Sequence, residues 1–161
     1  MKRTFRRTLQ VALTTFIAAA TMGVFATSAY AGDNTWITDK DGRCITITGG
    51  GNLYGARCGW GNQGQLWDRV GSQIKHAYSN QCLDSDKGPW GYGNVYWGEC
   101  NGGNYQNWDY FDEDGGWVHV QDRETKLWLN WNIDSSANYT LWTAPENTRY
   151  GSTFWNFYGG E

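Results

Sequence analysis

The chain has 161 residues, 13 basic and 16 acidic, for a formal net charge of −3, and carries 22 Gly, 11 Trp and 4 Cys. A length of this order holds one hydrophobic core rather than two. Beyond the first seven residues no run of Lys and Arg is present to displace counterions from phosphate, which argues against nucleic acid and anionic membrane surfaces as partners.

The first element in chain order is a leader. Lys2, Arg3, Arg6 and Arg7 precede an apolar stretch from Leu9 through Phe25, and Ala29-Tyr30-Ala31 then forms a small-residue cleavage signal ahead of the polar Gly32-Asp33-Asn34. This pattern predicts a signal peptide over 1–31, a single domain over 32–161, and a secreted protein. Thr14, Thr15, Thr21 and Gly23 interrupt the apolar run, so membrane insertion is not expected. Arg6-Arg7 fits twin-arginine export weakly, because paired basic residues are ordinary in any leader. Removal of the four basic leader residues leaves 9 basic against 16 acidic, a net charge of −7.

Short β-type runs follow, among them Cys44-Ile45-Thr46-Ile47, Gln73-Ile74, Asn94-Val95-Tyr96-Trp97, Trp117-Val118-His119-Val120 and Tyr139-Thr140-Leu141-Trp142. Glycine and asparagine clusters separate them, with turn signals at Asp41-Gly42 and Gly49-Gly50-Gly51. No helical periodicity is sustained after the leader, so the expected fold class is all-β and antiparallel. His76 and His119 sit beside β-type apolar residues and are expected at solvent-facing strand positions. With two histidines and no C-x-x-C spacing, no metal and no cofactor is expected.

The mature region repeats itself three times. The first copy runs from Arg43-Cys44-Ile45 through Arg57-Cys58 to Gln65-Leu66-Trp67. The second runs from Gln81-Cys82-Leu83-Asp84 through Glu99-Cys100-Asn101-Gly102-Gly103 to Gln106-Asn107-Trp108. The third runs from Leu127-Trp128-Leu129-Asn130 through Leu141-Trp142-Thr143-Ala144 to Thr153-Phe154-Trp155, with Trp128 and Ala144 standing where the cysteines stood. Four cysteines in an exported chain point to disulfides and allow three pairings. The repeat favours Cys44 with Cys58 and Cys82 with Cys100, since the third copy has lost both members together.

Three copies of this kind, each closing on Gln-x-Trp or a variant, resemble the ricin B-type lectin family over nearly all of the mature chain. The resemblance implies a β-trefoil of three repeats with pseudo-threefold symmetry, and terminal Trp67, Trp108 and Trp155 packed in its core. It also implies a sugar site per copy: an aspartate after the first cysteine, a polar residue and an aromatic platform before the second, and an Asn-Gln pair opening the last motif. In the second copy Asp84 and Gln106 match, while alignment on Cys100 puts Gly98 at the platform and Tyr105 at the asparagine. Trp97 and Tyr96 are the substitutes for the platform, and Asn104 for the asparagine. A one-residue bulge brings Trp97 outward, whereas strand alternation buries it. In the third copy Trp142 is the platform, Thr140 its polar neighbour and Asn130 replaces the aspartate, with Ser152-Thr153 replacing Asn-Gln. The first copy has Thr46 and Ala56 at these places, and no sugar is expected there.

Eleven Trp exceed what one small core holds, so some of Trp60, Trp90, Trp131 and Trp142 are expected at the surface. An exposed aromatic face suits the apolar C–H face of a pyranose, with Asp, Asn and Gln nearby for its hydroxyls. Asp112-Glu113-Asp114 before Gly115-Gly116 reads as a solvated turn rather than a catalytic carboxylate pair, and no nucleophile motif is present, so no enzyme is expected. Two readings follow: a secreted module binding galactose-type or related glycans, and an adaptor subunit of a secreted, toxin-like complex gripping a co-secreted protein.

Overall fold

The computed structural model describes residues 33–49, 52–133, 139–146 and 153–160. The leader expected over 1–31 lies outside them. The first copy contributes β1 (Thr35–Thr38), β2 (Arg43–Ile47), β3 (Leu53–Arg57) and β4 (Trp67–Val70). The second contributes β5 (Gln73–His76), β6 (Gln81–Ser85), β7 (Gly93–Glu99) and β8 (Trp108–Asp112). The third contributes β9 (Val118–Asp122), β10 (Trp128–Ile133), β11 (Tyr139–Ala144) and β12 (Asn156–Gly159).

The outer strands of each copy close into a ring. β1 pairs with β4 and β12, β4 with β5, and β8 with β9. The two remaining junctions are made by Trp108 N donating to Ser72 O at 2.8 Å and by a bridge between Val118 and Trp155. The inner strands form the hairpins β2–β3, β6–β7 and β10–β11. These hairpins meet over one end of the ring, where Thr140 lies opposite Tyr54 and Trp142 opposite Asn94. A barrel capped by three hairpins around a pseudo-threefold axis is a β-trefoil, and the fold is all-β.

One contact recurs in every copy. Trp67, Trp108 and Trp155 are each 0% exposed. A buried indole needs an acceptor for its N–H, and these three donate to Ile45 O at 3.0 Å, Leu83 O at 3.2 Å and Leu129 O at 3.0 Å. Ile37, Ile45, Ile74, Leu83, Val120 and Leu129 pack around them. Disulfides join Cys44 to Cys58 and Cys82 to Cys100, each within one copy, with Cα–Cα distances of 5.1 and 5.0 Å. Both run diagonally across a hairpin, because Cys44 pairs with Ala56 and Cys82 with Gly98. In the third copy Trp128 pairs with Ala144. The same diagonal therefore ends on Glu146, and the alignment that put Ala144 in the second cysteine's place is corrected by two residues.

Three expectations about exposure are also corrected. His76 pairs across β4–β5 with Trp67 and shares its inward row, so it is 8% exposed. Its Nε2 meets Gln63 O at 2.9 Å and its Nδ1 meets Ser79 Oγ at 3.1 Å. His119 is enclosed by the rings of Trp128 and Phe154. Trp131 is 5% exposed, because its ring packs on Trp155 and its N–H donates to Asp39 Oδ2 at 2.7 Å. Trp60 and Trp90, in contrast, are 74% and 91% exposed.

Two outcomes are expected. Trp108→Phe keeps an aromatic ring but removes the donor to Leu83 O, and urea unfolding should show a loss of about 2 kcal/mol. Burial lowers the His76 pKa from its usual 6.5, against a smaller opposing pull from the Gln63 carbonyl. The folded state then binds fewer protons than the unfolded chain. The contribution is complete above pH 6.5 and is lost as pH falls through the lowered value, so the melting temperature of the parent should drop more steeply below pH 6.5 than that of His76→Gln.

Candidate functional site

Strand alternation turns the indole anchor into a site. The carbonyl of Leu83 is held by Trp108, so the Leu83 side chain faces the core and Asp84 faces the other side of the hairpin. Across the hairpin, Asp84 stands opposite Tyr96. The same register places Thr46 opposite Tyr54 and Asn130 opposite Trp142. Each copy thus carries a polar side chain facing an aromatic one.

The closing motif orients the polar member. Gln106 Nε2 donates to Asp84 Oδ2 at 2.8 Å and to Glu99 O at 2.8 Å, while its Oε1 accepts from Asn101 N at 2.8 Å. Gln65 repeats the arrangement, with Nε2 donating to Thr46 Oγ1 at 2.9 Å and Arg57 O at 3.0 Å, and Oε1 accepting from Gly59 N at 2.8 Å. In the third copy Thr153 substitutes, donating through N and Oγ1 to Asn130 Oδ1 at 2.7 Å each. These glutamines clamp the polar residue to the end of the preceding strand, so the polar group is held in place before any ligand arrives.

The second copy has the strongest acceptor. Asp84 is 7% exposed, and burial raises the proton affinity of its carboxyl; the hydrogen bond from Gln106 and one from the Ser85 backbone oppose this, while Asp122 and Asp86 add to it. Tyr96 is exposed, and burial of its phenolic end together with the fields of Asp84, Asp86 and Tyr105 raises its pKa. Asp84, Tyr96, Tyr105 and Asp86 are therefore one neighbourhood: a fixed carboxylate acceptor beside exposed phenol rings. Such a group accepts hydrogen bonds from hydroxyls and presents a ring face to C–H groups.

The other residues singled out in the sequence fall as follows. Trp97 pairs with Leu83, packs against the core and lies edge-on to His76 with ring centroids 5.9 Å apart. The pairing from Gln81–Glu99 to Ser85–Val95 is regular, so there is no bulge and the outward bulge of Trp97 is corrected in favour of Tyr96. Asn104 Nδ2 donates to Glu124 Oε2 at 2.9 Å and is tied to the turn between β9 and β10. Thr140 is exposed, opposite Asn132, two pairs along the hairpin from Trp142. Trp142 stacks on Tyr92 with centroids 4.6 Å apart and planes 1° from parallel. Ser152 lies outside the described residues. Gly98 and Ala56 pair with the first cysteines rather than with the polar residues, so neither is a platform position. Tyr54 was missed in the sequence for this reason. The signal available there was its spacing: like Tyr96, it lies four residues before the second cysteine of its copy. Among the described residues no His, Cys, Asp and Glu cluster could hold a metal ion.

The model of the ricin-type beta-trefoil lectin domain matches residues 25–108, just over half of the chain. No curated protein sequence matches. Among solved structures, the designed 3-fold symmetric protein ThreeFoil is similar with a TM-score of 0.63 at 15% identity, covering 77% of this chain and 96% of its own. The Haemophilus ducreyi cytolethal distending toxin is similar with a TM-score of 0.62 at 10% identity, over 78% of this chain and 83% of the toxin chain. The Polyporus squamosus lectin, solved with the epitope Neu5Aca2-6Galb1-4GlcNAc, gives a TM-score of 0.61 at 15% identity, over 76% of this chain and 47% of the lectin. At these identities the structural likeness is one of fold. With the family model spanning more than half its length, the chain belongs to the ricin-type beta-trefoil lectin domain family.

Proposed function

We propose that this protein is a secreted, non-catalytic lectin whose second copy binds galactose-type or related glycans. The observation that carries the reading is the Gln106-clamped carboxylate of Asp84 facing exposed Tyr96. In this reading Asp84 accepts hydrogen bonds from a pair of sugar hydroxyls, and Tyr96, with Tyr105 at its side, supports the C–H face. Asn130 and Trp142 form a secondary site with an uncharged acceptor. The first copy, with Thr46 as acceptor, contributes least. Two disulfides and a lectin domain fit an extracellular protein, and the leader pattern supports cleavage after Ala31.

A specific feature favours a second reading, an adaptor role toward a co-secreted protein. Exposed Trp60 and Tyr158 meet the edges of Trp36, with ring centroids at 5.0 and 5.7 Å. Exposed aromatic groups of this kind are common anchors of protein interfaces, and one fold neighbour is a cytolethal distending toxin.

A glycan array probed with the parent, Asp84→Ala and Trp142→Ala tests the first reading. The parent should bind galactose-type glycans, Asp84→Ala should weaken that binding roughly tenfold to a hundredfold, and Trp142→Ala should weaken it less. A blank array from folded parent would shift the weight to the adaptor role. Binding should also depend on pH with a definite sign. Because the Asp84 carboxyl is held above its usual 3.8, it takes up a proton earlier on acidification, and affinity should fall at a pH higher than an ordinary aspartate would impose. Isothermal titration across the acidic range reads this directly, and Asp84→Asn should flatten the profile.

A further inference from the structure

The three hairpins leave a groove of about 850 Å³ where they meet over the barrel end. It is large within the roughly 300–1,000 Å³ range of small-molecule sites, with room for several sugar rings. β3 contributes Tyr54, β7 contributes Asn94, and β11 contributes Thr140 and Trp142. The loop before β7 adds Trp90 and Tyr92. Of the groups assigned above to the second-copy site, Tyr96 alone also lines this groove.

The loop is built to hold its aromatic residues outward. Asp86 closes its base, accepting from Asn94 N at 2.7 Å and Asn94 Nδ2 at 2.9 Å and donating its own N–H to Asn94 O at 3.1 Å. A Cβ on Gly93 would lie 2.0 Å from Asp86 O and 2.5 Å from Thr143 Oγ1, so only glycine lets the loop return to β7 this close to β11. Trp90 occupies the left-handed region at φ 67°, ψ 17°, and its side chain is 91% exposed. A bulky residue in that conformation is strained, and no burial of the indole offsets the strain. Tyr92 stacks flat on Trp142, joining the loop to the cap as one aromatic wall.

The lining also states what kind of ligand fits. Among the described residues that line the groove none is charged; Asn52, Asn94, Asn132 and Thr140 supply amide and hydroxyl groups between the aromatic faces. Neutral polar groups alternating with ring faces complement a ligand of hydroxyls and C–H faces. A peptide docking by strand addition needs an open strand edge, and β3, β7 and β11 are each paired on both sides here. We propose that the groove, which shares Tyr96 with the second-copy site and Trp142 with the third-copy one, binds a neutral polysaccharide chain lengthwise without calling on the Asp84 carboxylate.

Native affinity electrophoresis tests this with the full secreted protein in gels containing laminarin, xyloglucan, arabinoxylan or galactomannan, and pectate as the anionic comparison. At least one neutral polysaccharide should retard the parent more than pectate does. Trp90→Gly should lose that retardation at least tenfold in apparent affinity while melting at or above the parent temperature, since glycine relieves the strained turn. Asp84→Ala should remain retarded, which separates this groove from the second-copy site. Failure of every neutral polysaccharide to retard the parent, unchanged retardation of Trp90→Gly, or loss of retardation in Asp84→Ala would each overturn the proposal. A parent that is blank on the glycan array yet retarded here would leave the groove standing alone.

Discussion

The bond from each terminal indole to a hairpin carbonyl is the constraint on which the rest depends. Trp67, Trp108 and Trp155 are fully buried and donate to Ile45, Leu83 and Leu129, one bond per copy. Burying an indole without a partner for its N–H is costly, so the carbonyl must be where the ring can reach it. This fixes how far each hairpin can slide relative to the barrel. A slip of one residue would turn Ile45, Leu83 and Leu129 outward and bring polar side chains into the core.

That anchoring explains why the surface chemistry is repeated as well as the core. Once Leu83 faces inward, Asp84 must face outward, and the hairpin pairing must bring Tyr96 across from it. The glutamine two residues before the indole then reaches back to the polar side chain, in the first copy to Thr46 and in the second to Asp84. Copy-to-copy differences in the acceptor, a hydroxyl, a carboxylate and an amide, are variations on one geometry. The carboxylate makes the second copy the strongest candidate site. Where the cap hairpins converge, the same outward faces contribute Tyr54, Tyr96 and Trp142 to a shared groove, so the axis itself becomes a surface of chemical interest.

Much of this was legible in residue patterns, for definable reasons. The threefold repetition of Gln-x-Trp variants implied the trefoil because three equal units can bury a common core. Cysteines lost as a pair in the third copy implied intra-copy disulfides. The platform is harder to read, because the cysteines do not mark facing positions. A diagonal disulfide links Cys82 to a residue two beyond its true partner Gly98, and that offset hid Tyr54 and left Tyr96 a mere substitute beside Trp97. The histidines misled because apolar neighbours in a strand do not reveal which row faces in. His76 lies inward because it pairs with Trp67.

The sequence by itself determined the fold class, the copy number, the within-copy disulfides and the polar residue that follows each anchored carbonyl, since these depend on local spacing and repetition. Tertiary structure alone decided that Trp131 is buried while Trp90 is exposed, that Tyr96 rather than Trp97 faces Asp84, and that Tyr92 stacks on Trp142. These outcomes depend on strand register and on how separate hairpins meet at the axis. The first is a pairing between strands of one copy and the second joins residues of different copies, and neither is written in the spacing along a single strand.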